Sequence, residues 1–152
     1  MSFSPFADTG FFLILETDSE SKGGSFNLAE STDLANIQTT IIVRGTLSAG
    51  SERARLRLYG NSSCAGTPIS SSSWFDFSSI GSYTNNWIGN VFFDFENTPI
   101  NPSLDYYITV EIDNYTKVPD TCYIGVRLDW GPSVYSGSAS AIRMTMHGRR
   151  VE

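Results

Sequence analysis

The stretch Arg53-Ala54-Arg55-Leu56-Arg57-Leu58-Tyr59 alternates charged and apolar side chains without a break. Successive side chains of a β-strand point to opposite faces, so a period of two sends Ala54, Leu56 and Leu58 to one face and the three arginines to the other. This is the signature of a half-buried strand. Just upstream, residues 37–47 carry the β-branched run Thr39-Thr40-Ile41-Ile42-Val43, and Ser48-Ala49-Gly50-Ser51 turns the chain between the two. Downstream, residues 61–73 are rich in Ser, Gly and Pro and read as a long surface loop of the kind that carries recognition, closed by a short strand at Trp74-Phe75-Asp76-Phe77.

The same alternation recurs along the chain. Residues 89–95 direct Val91, Phe93 and Phe95 inward and Asn90, Phe92, Asp94 and Glu96 outward, with the segment 97–102 and its two prolines ending the strand. Residues 106–113 place Tyr106, Ile108, Val110 and Ile112 inward, and residues 122–130 do so through Ile124, Val126 and Leu128. The apolar run at 11–15 reads as a buried strand followed by the polar turn segment 18–24, then a short strand at 25–28; residues 142–147 close the chain. No helix signal of useful length appears. About eight strands with turn chemistry between them predict an all-β fold, a two-sheet antiparallel β-sandwich that is jelly-roll-like. The strand at Phe11 is expected to pair with the strand at Ile142.

Composition agrees. The 152 residues are 40% hydrophobic and 13% aromatic but only 17% charged, against about 25% in ordinary globular proteins, so Ser, Thr, Asn and Gly must cover the surface. The length predicts a single domain over residues 1–152, with residues 1–10 read as a docking arm. A net charge of −6, with Lys22 and Lys117 the only lysines, argues against a nucleic-acid partner. The start lacks the basic and apolar regions of a secretory signal, and no apolar run reaches membrane-spanning length. The expectation is a soluble chain made in a host cytoplasm without a signal peptide and without membrane insertion. The sequons at Asn61 and Asn114 then carry no meaning. Cys64 and Cys122 lack metal or redox spacing; whether they are bonded is left open, although a reducing cytoplasm opposes it.

From Gly24 onward the order of features resembles a β-sandwich module of phage tail, fibre and other virion proteins and of bacterial surface proteins, sometimes called a choice-of-anchor type domain. The residues that carry the resemblance are Gly24-Ser25-Phe26-Asn27-Leu28 leading into residues 37–43, then Arg55-Leu56-Arg57-Leu58-Tyr59 with Gly66-Thr67-Pro68. Val91-Phe92-Phe93-Asp94-Phe95 with Asn97-Thr98-Pro99-Ile100 follows, then Leu104-Asp105-Tyr106-Tyr107-Ile108-Thr109-Val110, and finally Tyr123-Ile124-Gly125-Val126 with Tyr135-Ser136-Gly137. The pattern spans about four fifths of the chain and departs from the family at Pro102-Ser103-Leu104-Asp105, where a glycine is usual. The resemblance implies a virion component, with other virion proteins as partners, and a homo-oligomer, since virion parts are repeated.

Several residue groups are candidates for function. Arg53, Arg55 and Arg57 form a basic ladder that needs acidic neighbours, either internal (Asp94, Glu96, Glu111 and Asp113) or on a docking partner; Arg149 and Arg150 are further docking candidates. Trp74, Tyr83, Trp87, Trp130 and Tyr135 fall in loop or strand-end contexts, where aromatic rings either stack on sugars of a host polysaccharide or cap the core; Tyr83 and Trp87 are expected to be the most exposed. Asp94 and Glu96, flanked by Phe92, would share a strand face as two carboxylates do in a glycosidase, although a solvated face is the ordinary reading. His147 is the single histidine and reads as a solvent-facing strand residue. No cofactor is called for; a structural calcium would draw on Asp18, Glu20, Asp113 and Asp120. The leading expectation is a non-enzymatic virion structural protein, a capsid decoration or tail and fibre accessory that docks on the particle and contacts host glycans. The alternatives are a stand-alone carbohydrate-binding module and a small jelly-roll glycosidase.

Overall fold

The computed structural model describes residues 2–6, 10–47, 50–118, 121–127 and 142–151, with side chains from residue 13 onward. In these, strands follow one another as β1 (Ser2–Phe6), β2 (Gly10–Ile14), β3 (Glu20–Phe26), β4 (Thr32–Arg44), β5 (Arg53–Tyr59), β6 (Ser70–Ser71), β7 (Phe75–Asp76), β8 (Asn86–Ile100), β9 (Tyr106–Asp113), β10 (Tyr123–Arg127) and β11 (Met144–Arg150). A 3-10 turn at Phe77–Ile80 is the one helical element among the described residues. The short strand expected at residues 74–77 is β7, whereas β6 is two residues inside the segment read as a loop, too short to announce itself by alternation. In addition, the segment read as a docking arm supplies β1, antiparallel to β2.

The strands form two antiparallel sheets that pack face to face. One runs β1-β2-β10-β4-β8; β10 pairs with residues 41–44 of β4 and β11 with residues 32–39, so those two share one side of β4 while β8 fills the other. The second runs β3-β9-β5, with β6 and β7 both on the far side of β5. Consecutive strands from β2 to β5 alternate between sheets, and β2-β10-β4-β8 facing β3-β9-β5-β6 is the strand order of a jelly roll. The expected pairing of the Phe11 strand with the terminal strand does not occur. Both lie in the same sheet, but β10 sits between β2 and β4, pairing Val126 with Leu13 and with Ile41.

The core lies between the sheets. Ala54, Leu56 and Leu58 of β5, together with Ile108, Val110 and Ile112 of β9, face Ile37 and Ile41 of β4, Val91, Phe93 and Phe95 of β8, and Ile124 and Val126 of β10. Those of β5, β8, β9 and β10 belong to the inward sets that alternation assigns, while Ile37 and Ile41 come from β4, which carries the β-branched run; Leu128 lies outside the described residues.

Two strands differ from expectation. Within the segment read as a polar turn, β3 already begins at Glu20. Its pairing with β9 shifts between Lys22 and Gly24, and a Cβ on Gly23 would stand 3.1 Å from Ile142 Cδ1, so glycine here makes room for a core side chain instead of ending a strand. Likewise β8 does not stop at Asn97. Glu96 and Asn97 adopt left-handed backbone (φ 52° and 61°), forming a bulge opposite residue 35, and pairing resumes at Thr98 opposite Leu34. Pro99 is tolerated beyond the bulge, opposite Asp33.

Candidate functional site

The outer face of the five-stranded sheet carries the arginine ladder, and its charges are matched within the chain. Arg53 Nη2 lies 2.8 Å from Asp113 Oδ2, and Arg55 Nε donates to Glu111 Oε2 at 2.7 Å. Arg57 reaches the same Glu111 oxygen at 3.0 Å and Glu20 at 3.6 Å. Its Nε contact is ionic only, without the alignment of a hydrogen bond. Three cations thus meet three carboxylates. The register explains the match, since β5 and β9 pair Arg53 with Asp113 and Arg55 with Glu111 directly across the ladder. Glu20, missed as a ladder partner because β3 was read as a turn, also accepts hydrogen bonds from the Tyr59 and Thr109 hydroxyls, each at 2.6 Å. Trp74 lies against two of the guanidinium groups, with Arg53 Cζ 4.0 Å and Arg55 Cζ 4.2 Å from its ring centroid.

Asp94 and Glu96, the other expected internal partners, are on the opposite sheet. Replacing Glu111 with Gln is expected to cost about 1–2 kcal/mol of unfolding free energy, because it leaves two half-buried arginines one carboxylate short. Urea unfolding of both proteins checks this, and the difference should shrink in added salt. An unchanged midpoint would show that the ladder contributes nothing to stability.

The opposite outer face, on the six-stranded sheet, sets exposed apolar side chains among polar ones, with Thr40 Oγ1 of β4 donating to Asn90 Oδ1 of β8 at 2.8 Å. Ile14, Ile42 and Tyr123 form a small buried cluster there, with Arg44 Cζ 6.0 Å from the Tyr123 ring centre. Beside Ile42 in register is Ile88, 47% exposed, and four residues along β8 is Phe92, 58% exposed. His147 of β11 is exposed, as expected, with its ring 5.9 Å from that of Phe92 and Nε2 3.5 Å from Gln38 Oε1.

Along β8 the backbone groups alternate in direction. The Gly45 N–H donates to Asn85 O at 2.8 Å, which fixes the odd residues 87–93 as those bonded to β4. The even residues turn their N–H and C=O to the sheet edge. At Asp94 that edge is closed by Ser73, whose N–H donates to Asp94 O at 2.8 Å and whose hydroxyl accepts from Asp94 N at 3.3 Å. At Asn86 the N–H is closed locally by a bond to Thr84 O at 2.8 Å. Between these points lie Ile88, Asn90 and Phe92. The outward position of Phe92 is legible in the alternation; that of Ile88 is its continuation, two residues before Asn90.

The candidate glycan-binding aromatics do not gather on one surface. Tyr83 and Trp87 are half-buried rather than the most exposed. The Tyr83 hydroxyl donates to Gly45 O at 2.6 Å, and burial pushes its pKa up. Trp87 points inward and stacks on Phe75 with centroids 6.4 Å apart, its indole covering Gly89, where a Cβ would stand 2.4 Å from Trp87 Cζ2. Both pack against the core, the capping alternative. Trp74 belongs to the arginine ladder, while Trp130 and Tyr135 lie outside the described residues. Tyr83 helps line an end cavity of about 320 Å³, with Thr46, Leu47, Phe77 and the almost fully buried Glu52.

Of the carboxylate pair, Asp94 Oδ1 accepts the Glu96 N–H at 2.8 Å, and the bulge at Glu96 breaks the period of two that would have aligned their side chains. Asp18 accepts the Tyr115 N–H at 2.9 Å, Glu20 and Asp113 serve the ladder, and Asp120 is outside the described residues. Among the described residues no three metal-ligating side chains converge. Arg149 and Arg150 are exposed and reach Asp33 at 3.4 Å and Glu30 at 3.1 Å. Cys64 and Cys122 are not joined in a disulfide, and burial raises the Cys122 pKa. No described helix is long and apolar enough to cross a membrane. Against known proteins, the chain matches no family model, and neither the curated proteins nor the solved structures give a significant match.

Proposed function

We propose that this chain is a non-enzymatic virion structural protein, a capsid decoration or tail and fibre accessory that works by docking against other virion proteins and against copies of itself. The observation that carries the reading is the outer face of the six-stranded sheet. There, an uncharged run of β8 turns outward both exposed apolar side chains and backbone groups that no strand among the described residues pairs, an arrangement suited to a partner. The family resemblance of the strand pattern supplies the virion setting. The ladder of Arg53, Arg55 and Arg57 has its charge satisfied internally, so docking through it would have to displace Glu20, Glu111 or Asp113. This favours the apolar face over the basic one.

Mass spectrometry of gradient-purified particles from the source tests the proposal. The chain is expected in them at a fixed ratio to the major shell or tail protein. Its absence from the particles, together with binding on a glycan array, would replace the proposal with a stand-alone carbohydrate-binding module.

A further inference from the structure

We propose that residues 88–92 of β8 join two copies of this chain edge to edge, continuing the six-stranded sheet across a two-fold axis at Asn90. The inference deepens the assembly reading above and rests on it for the identity of the partner. The edge itself specifies a strand as occupant, since Ile88, Asn90 and Phe92 each direct one N–H and one C=O outward at the spacing of a ladder.

Sheet edges in proteins are normally blunted by proline, charge, bulges or brevity. The other outer strands here follow that rule. β1 contains Pro5; β3 has a register shift between Lys22 and Gly24; β6 and β7 are two residues each; β11 has a shift at His147/Gly148 and ends in Arg149 and Arg150. The far half of β8 follows it as well, with the bulge at Glu96, Pro99 and the Ser73 cover. Residues 88–92, Ile-Gly-Asn-Val-Phe, have none of these devices.

A second copy is the occupant that fits. Antiparallel pairing about Asn90 sets Ile88 against Phe92 of the other copy, Asn90 against Asn90, and Phe92 against Ile88. Two hydrogen bonds per pair over the three pairs then satisfy every outward N–H and C=O of Ile88, Asn90 and Phe92. The two exposed apolar side chains meet on the same outer face, because an isologous contact repeats each pairing. Charge points to the same stretch. Each copy carries −6, and residues 86–93 hold no charged side chain, so the copies approach where repulsion is least. Added salt should therefore tighten this association, the opposite of its effect on docking through arginines.

Sedimentation equilibrium over a dilution series tests the inference. The expected mass is twice that of the chain at high concentration, dissociating on dilution. Asn90→Lys sets like charges opposite each other at the axis and is expected to weaken association at least tenfold, with circular dichroism unchanged and the thermal midpoint of the single copy lowered only slightly, because the residue is exposed, its N–H faces away from β4 and the one side-chain bond lost, from Thr40 Oγ1 to Asn90 Oδ1 at 2.8 Å, is itself exposed. Ile88→Lys and Phe92→Glu should each weaken it, and the double substitution should restore it, since Lys at 88 then faces Glu at 92 of the other copy. A single-chain mass at every concentration, undiminished association in Asn90→Lys, or failure of the double variant to recover would overturn the proposed pairing. A monomeric chain that is nonetheless a constituent of particles overturns this inference alone; a dimer missing from particles overturns the assembly reading alone.

Discussion

Replacing Phe93 with alanine is expected to remove about 3–5 kcal/mol of unfolding free energy, while the same change at Phe92 alters the stability of a single copy by no more than about 0.5 kcal/mol. The two phenylalanines are adjacent in sequence and identical in chemistry. They differ in one respect: Phe93 is 0% exposed between the sheets and Phe92 is 58% exposed on the outer face. Phe93 pairs with Ile37 across β4 and packs in the cluster that holds Val91, Phe95, Leu56 and Val110. Truncating it leaves a cavity that neighbours on two hydrogen-bonded sheets fill only in part, and the transfer and cavity costs add. Urea unfolding of both variants at a concentration low enough to keep the chain monomeric measures the contrast. Similar losses at the two positions would mean that β8 does not hold the register described.

Alkaline pH is expected to destabilise the protein through Tyr115. This residue is 2% exposed, its hydroxyl oxygen accepts the Ile124 N–H at 3.0 Å, and burial holds its pKa up to about 12 against 10 for a free tyrosine. The folded state keeps the phenol protonated after the unfolded chain has begun to lose its proton. The stabilisation is therefore fully present below pH 10 and is lost as pH rises from about 10 through about 12, a loss on the order of 2–3 kcal/mol. Tyr59 and Tyr83 add to it in the same direction, Tyr59 through burial and then the neighbouring Glu20, Tyr83 mainly through burial.

In Tyr115→Phe the contribution of this residue to the alkaline loss should vanish. At neutral pH that variant should cost about 1–3 kcal/mol, because the buried Ile124 N–H loses its acceptor. Thermal unfolding of both proteins across this pH range separates the two effects. A wild-type protein whose stability is flat from pH 9 to pH 12 would contradict the buried environment of Tyr115. The sequence offered no sign of this role: Asn114-Tyr115-Thr116 reads as a loop and a sequon. Only its packing against β10 makes Tyr115 a core residue.

The inward sets of β5, β8, β9 and β10 were legible because a sheet buried on one face must alternate, and alternation is a local property of the chain. Polar strands were less legible. β3 hides in a run of Ser, Gly, Lys and Glu, since its buried positions are Gly23, which admits Ile142, and Gly24, and these leave no apolar signal of their own. The continuation of β8 past Glu96 was equally hidden, because a bulge imitates a strand end in sequence.

The stretch at Arg53 divides what each level decides. Its own residues determine that it is a strand, that Ala54, Leu56 and Leu58 are inside, and that the arginines are outside; these follow from the period of two and the burial of apolar surface. Whether the arginines are available to a partner is decided elsewhere. Glu111 and Asp113 lie about sixty residues away along the chain, and Glu20 more than thirty, and it is the pairing of β5 with β9 and of β9 with β3 that brings their charge to the ladder. The free edge of β8 is likewise a product of topology. Residues 88–92 would be an ordinary interior strand if another followed them, and only the order of the sheet leaves their outward backbone groups without a paired strand among the described residues. Side-chain direction is set by the residue and its two neighbours, whereas strand order and register are set by contacts between distant segments, which the packing of the whole sandwich selects.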